Sequence, residues 1–84
     1  MLHPFGCVKG AAIKMLILAE RLSLLRKERD LTQKEVGQEL GISLNSYQRY
    51  ETGEREPTAP VLVKMARFYH VSLDYLVGLK DERQ

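Results

Sequence analysis

Four times between Leu31 and Leu76 the sequence repeats one start signal: an apolar or proline residue, then serine or threonine, then a helix-compatible run. A helix leaves its first backbone N–H groups without partners, and a Ser or Thr oxygen at the N-cap accepts from one of them. The fullest instance is Leu31-Thr32-Gln33-Lys34-Glu35-Val36. There Thr32 is placed to accept from the Glu35 amide, Glu35 to reach back to the Thr32 amide, and Leu31 to pack on Val36. That is a capping box with a hydrophobic staple. Ile42-Ser43 with Tyr47, Pro57-Thr58 with Leu62 and Val71-Ser72 with Leu76 repeat the pattern. The stops are also legible, because Gly41, Gly53 and Gly78 stand where a left-handed residue ends a helix.

A chain punctuated in this way is all-α. The expected helices span 15–29, 32–39, 43–51, 58–69 and 72–77. The first has no evident cap, but Leu18, Leu22 and Leu25 fall at i, i+4 and i+7 on one face. Asp30 and Leu31 end it. Glu20, Arg21, Lys27 and Glu28 read as its solvated face. No strand alternation, internal repeat or low-complexity tract interrupts this order. Residues 1–14, which include His3, Pro4, Gly6 and Gly10, show no period and read as an irregular arm; Met15 also fits a natural start. Residues 15–80 form the domain and 81–84 a short polar tail.

The length of 84 residues allows one domain with one small core. The single cysteine, Cys7, permits no internal disulfide and reads as the reduced thiol of a cytoplasmic protein. No run approaches the roughly 18 apolar residues that span a bilayer. The stretch from Ala11 to Ala19 is broken by Lys14 and lacks a cleavage region, so no signal peptide is read. Net charge is +2, and between Thr32 and Glu56 Lys34, Arg49 and Arg55 face Glu35, Glu39, Glu51, Glu54 and Glu56. Bulk charge therefore makes no case for nucleic acid. The case rests on local pattern.

That pattern lies between Gln33 and Thr52. One short helix ends at Gly41 and another begins at Ser43, so a turn of three or four residues sets them at a steep angle. Val36, Leu40, Ile42, Tyr47 and Tyr50 lock the pair together and onto the core. Asn45, Ser46, Gln48 and Arg49 form the opposite, polar face of the second helix. A helix anchored on one side and hydrogen-bonding on the other is what major-groove reading requires.

The run LTQKEVGQELGISLNSYQRYETG, from Leu31 to Gly53, resembles the helix-turn-helix of the Cro and lambda-repressor family of transcriptional regulators. The resemblance continues to Gly78 and covers roughly Leu18 to Gly78. It implies a five-helix lambda-repressor-like domain that binds a double-stranded DNA operator as a homodimer and acts as a repressor. By the same resemblance, Ser43, Leu44, Asn45, Ser46 and Arg49 contact bases, while Gln33, Gln48 and Arg55 contact phosphates. Gln33 also braces the reading helix. Arg26 and Glu51 correspond to a buried ion pair that ties the first helix to the end of the reading helix. Leu44 departs from the polar residue often found there and suits a thymine methyl. Gly37 stands where the family prefers alanine, and His70 where it often has glycine.

Other readings are blander. Tyr47 and Tyr50 belong to the core rather than to a stacking surface. Phe68, Tyr69 and Tyr75 read as packing or a dimer surface. His3 and His70 lack partners at metal-ligand spacing. The acidic cluster of Glu51, Glu54 and Glu56 reads as a solvated loop plus a structural Glu51. There is no nucleophile–base pair, phosphate loop or pair of catalytic carboxylates, so neither an enzyme nor a cofactor is expected. The dimer surface is expected around Leu73, Leu76, Val77 and Leu79, or on the arm. The alternative is an antitoxin-like or other interaction module whose main task is to hold a partner protein.

Overall fold

The computed structural model describes residues 10–84, with side chains from Leu16 onward. Its helices are α1 (Gly10–Glu28), α2 (Gln33–Leu40), α3 (Leu44–Thr52), α4 (Ala59–Tyr69) and α5 (Leu73–Leu76). No strand occurs among the described residues, so the all-α, five-helix expectation stands. Each of the last four helices starts one residue later than expected, because Thr32, Ser43, Thr58 and Ser72 are extended N-caps rather than first helical residues. The capping box forms in both directions, with Glu35 N–H donating to Thr32 Oγ1 at 3.1 Å and the Thr32 amide donating to Glu35 Oε1 at 2.8 Å. Thr58 is the exception, as its hydroxyl makes no cap bond. An N-cap oxygen serves the second or third amide of its helix, and Pro60 has removed the second.

Helix α1 corrects the expected boundary. It begins at Gly10 rather than Met15, so residues 10–14 are helical and not part of an irregular arm. Ala11 and Ala12 favour helix strongly, and no proline lies between Pro4 and Met15 to stop it from propagating upstream. His3 and Cys7 lie outside the described residues. No helix among the described residues is long and apolar enough to cross a membrane.

The core gathers one stripe from every helix. Leu18, Leu22 and Leu25 of α1 meet Val36 and Leu40 of α2, Tyr47 and Tyr50 of α3, Met65 and Tyr69 of α4, and Tyr75 and Leu76 of α5. Leu22, Val36, Tyr47, Met65 and Leu76 are fully sealed from solvent. Leu76 is therefore core and cannot serve the dimer surface expected of it, and Val77 is half-buried. Leu73 and Leu79 stand exposed.

Arginines close the far end of the fold. Arg29 donates to the carbonyls of Phe68 and Tyr69, satisfying orphan groups at the end of α4, at 2.8 and 3.0 Å. Arg21, expected in solvent, is largely buried. It donates to the carbonyls of Tyr75 and Lys80 and to Asp81, and its guanidinium lies 4.1 Å from the centre of the Tyr75 ring. Glu28 is not simply solvated either, since Arg83 grips it with two hydrogen bonds of 2.9 and 2.7 Å. Those bonds, led by the Arg83 guanidinium, hold the Glu28 carboxyl below its ordinary value. The tail is thus fastened to the domain: the Ser72 amide donates to the Arg83 carbonyl at 2.7 Å and Gln84 Nε2 to the His70 carbonyl at 2.9 Å.

Two glycine turns separate backbone strain from crowding. Gly41 has φ 73° with open space where a Cβ would go, whereas Gly78 has φ 87° and its Cβ would meet Ile17 Cγ2 at 2.9 Å. Gly41→Ala is expected to cost about 1–2 kcal/mol for the left-handed backbone alone. Gly78→Ala is expected to cost about 1 kcal/mol more, as Ile17 is pushed off its rotamer. Urea unfolding of both variants checks the order, and equal losses would remove the crowding term.

Candidate nucleic-acid interface

The turn between α2 and α3 is set by a close approach. The Ile42 amide donates to the Gly37 carbonyl at 2.9 Å, and a Cβ on Gly37 would lie only 3.1 Å from the Ile42 carbonyl oxygen. Glycine here lets the turn settle onto α2. Helix α3 then starts at its Ser43 cap. Ser43 Oγ accepts from the Ser46 amide and its hydroxyl donates to Ser46 Oγ, both at 3.0 Å. Both serine hydroxyls are therefore engaged within the helix start, which leaves them less free for a ligand than their positions suggest.

Tyr47 and Tyr50 bury one side of α3. The side left exposed consists of Leu44, Asn45, Gln48, Arg49 and Thr52. Helical geometry arranges these in two rows, Leu44–Gln48–Thr52 and Asn45–Arg49, with i, i+4 spacing in each. Asn45 and Arg49 make no side-chain hydrogen bond among the described residues, nor does Arg55 just past the helix, so their donors are available. Exposed Lys34 stands beside Gln33 at the start of α2.

The brace behind this surface is polar and part-buried. Arg26 Nε and Nη2 donate to Glu51 Oε2 and Oε1 at 2.7 and 3.1 Å, and Arg26 Nη1 donates to the Leu31 carbonyl at 2.9 Å. The two side chains are only 13% and 5% exposed. One guanidinium thus ties α1 to the end of α3 and to the residue that enters α2. Burial pushes the Glu51 carboxyl up, but the hydrogen bonds from Arg26 and Gln33, with the Tyr47 hydroxyl close by, together outweigh it and hold the group below its ordinary value. Alongside, the Tyr47 and Tyr69 hydroxyls are hydrogen-bonded at 3.0 Å in the core, and burial pushes both phenols up. Among the described residues, no buried side-chain nitrogen or oxygen lacks a partner.

Gln33 extends the brace to the surface. Its Nε2 donates to Glu51 Oε1 at 3.1 Å, and its Oε1 accepts from Gln48 Nε2 at 3.3 Å. The link from Gln33 to Gln48 carried no signal in the sequence, because the residues are separated by the turn and the contact depends on the crossing of two helices. The hydroxyl bond between Tyr47 and Tyr69 was equally silent, since the pattern marked both residues only as apolar packing. No group of three or more His, Cys, Asp or Glu among the described residues is arranged to hold a metal ion.

Comparison with known proteins agrees with this geometry. Residues 22–76 match the family described as Helix-turn-helix. The cryptic phage CTXphi transcriptional repressor RstR of Vibrio cholerae is 45% identical over 69 residues, covering 80% of this chain and 62% of that protein. The HTH-type transcriptional regulator ImmR of Bacillus subtilis is 42% identical over 65 residues, covering 77% of this chain and 50% of that protein. A crystal structure of a transcriptional regulator from Listeria innocua superposes with a TM-score of 0.71 at 34% identity, covering 77% of this chain and 61% of the other. The chain thus spans about half to three-fifths of the length of these relatives.

The buried pair makes two measurable statements. Arg26→Ala leaves Glu51 buried without its main partner and is expected to destabilise the domain by ~3–5 kcal/mol in urea unfolding. The pH dependence follows from the lowered Glu51 value. The unfolded chain takes up this proton first, so the pair's stabilisation is full above the ordinary carboxylate value of ~4.3 and is lost as pH falls through the native value. Unfolding midpoints between pH 6 and 3 should fall less steeply in Glu51→Gln than in the parent, and identical slopes would show that Glu51 does not carry the effect.

Proposed function

Because the chain belongs to the helix-turn-helix family, we propose that it is a sequence-specific, double-stranded-DNA-binding transcriptional regulator that acts as a repressor. The observation that carries this reading is the exposed polar strip of α3, held from behind by the Arg26–Glu51 pair. A reading helix must present side chains to base edges without its own backbone shifting, and that brace supplies the rigidity. In this reading α3 lies in the major groove. Arg49 forks onto a guanine edge, Asn45 pairs with an adenine, and Leu44 meets a thymine methyl. Gln33, through its remaining N–H, and Arg55 contact phosphates and set the register. The exposed carboxylates of Glu35, Glu39, Glu54 and Glu56 offset the few cations nearby, so affinity depends on base contacts more than on bulk charge.

One module of this size buries limited DNA surface, and a two-fold homodimer on half-sites about 34 Å apart supplies the rest. Exposed Leu73 and Leu79 are the apolar residues available at the α5 end for that contact. We also place the protein in the cytoplasm, where a regulator of this kind reaches its operator, and read it as a binding protein rather than an enzyme.

Selection from a random duplex pool at two salt concentrations tests the reading. The parent is expected to enrich a palindromic site, and Arg49→Ala to lose preference at one position per half-site, costing about 1–3 kcal/mol there. Binding that is weak, salt-sensitive and blind to sequence would overturn it and favour the capture of a partner protein.

A further inference from the structure

The hydrogen-bond polarity of the brace decides what Gln48 shows to solvent. The Arg26 guanidinium only donates and the Glu51 carboxylate only accepts. Gln33 must therefore turn its amino end to Glu51, which it does at 3.1 Å, leaving its carbonyl oxygen to face Gln48. That oxygen only accepts, so Gln48 must turn its own amino group inward, at 3.3 Å. The order of donors and acceptors is dictated from the buried ion pair outward, and neither amide can flip without placing two acceptors together. A primary amide has two N–H bonds. With one spent on Gln33, Gln48 presents a carbonyl oxygen and one N–H to solvent. Gln48 is exposed, and it shares a row of α3 with Leu44, one turn earlier.

A phosphate has only acceptor oxygens, so it could take the one N–H but would leave the exposed Gln48 carbonyl unmatched. An adenine edge in the major groove offers an amino donor and the N7 acceptor, the complement of one carbonyl and one N–H. We infer that Gln48 is a base-reading residue specific for adenine, not a phosphate contact, and that Gln33 and Glu51 are positioning residues that set its amide orientation. This rests on the reading of α3 as a major-groove helix. It assigns Gln48 a different role from the phosphate contact that the family resemblance implies.

The test uses the full chain, its selected duplex site, and duplexes substituted at each position in turn. Gln48→Ala is expected to erase discrimination for adenine at one position per half-site, on the order of 5- to 100-fold, while preferences elsewhere persist. Gln48→Glu removes both amide donors and sets a carboxylate against the Gln33 oxygen, so the preference for adenine at that position is expected to be lost there too. Both substitutions are at an exposed position, and circular dichroism confirms the fold in each variant. A loss of affinity by Gln48→Ala that is uniform across all duplexes would overturn the inference in favour of a phosphate contact. Unchanged affinity and preference would overturn it in favour of a purely internal bond. If the parent selects no sequence at all, the major-groove reading fails and this inference fails with it; selection by the parent with a uniform Gln48→Ala effect fails the inference alone.

Discussion

The Arg26–Glu51 pair is the interaction on which the rest of the structure turns. It joins the first helix to the last turn of α3, and through the Leu31 carbonyl it also fixes the entry to α2. Three elements are thereby referred to one planar guanidinium. The geometry suits arginine and not lysine, because three of its nitrogens donate in fixed directions at once. A buried ion pair is a poor source of net stability, since desolvating two charges offsets most of their attraction. Its use here is directional. Apolar packing by Tyr47 and Tyr50 holds α3 down, but it is tolerant of small rotations, whereas a bidentate bond is not.

Much of this architecture was readable from the residues. The capping box at Thr32, the serine caps at 43 and 72, and the glycine stops at 41, 53 and 78 are local devices acting within a few residues, so their chemistry shows in a linear text. The core positions of α1, α2 and α3 followed from helical spacing for the same reason. The upstream extension of α1 to Gly10 was missed because no serine, threonine, aspartate or asparagine precedes it in the sequence to announce it. The fate of Leu76 was misjudged because an apolar residue near a chain end looks alike whether it faces a neighbour or the interior, and only the packing of α5 decides.

At the candidate interface the split is similar. The exposed rows of α3 were legible, since Tyr47 and Tyr50 identify the buried side and the remainder must face outward. The ion pair came from family resemblance and not from any spacing within the chain. The resemblance implied that Gln33 braces α3, but that Gln48 is the residue it meets came from neither. Polar groups that find each other across a helix crossing leave no periodic trace, and their donor–acceptor order has meaning only when the partners are known. The same holds for the arginines at positions 21, 29 and 83, which in sequence are ordinary surface cations and in the fold are bound to carbonyls and carboxylates.

The fastening of the tail has a kinetic side. Arg21 reaches residues 54 to 60 positions away, and Glu28 meets Arg83 across 55. Closing so large a loop costs chain entropy before any contact repays it, while the turn joining α2 to α3 closes over a handful of residues. The helix pair should therefore assemble early and the clasp between the two ends late. Interactions that form after the folding barrier leave the rate of folding nearly unchanged and slow the reverse step. The tail would then act as a latch on lifetime: it has little part in finding the fold, and it governs how long the exposed face of α3, once assembled, persists before the chain opens.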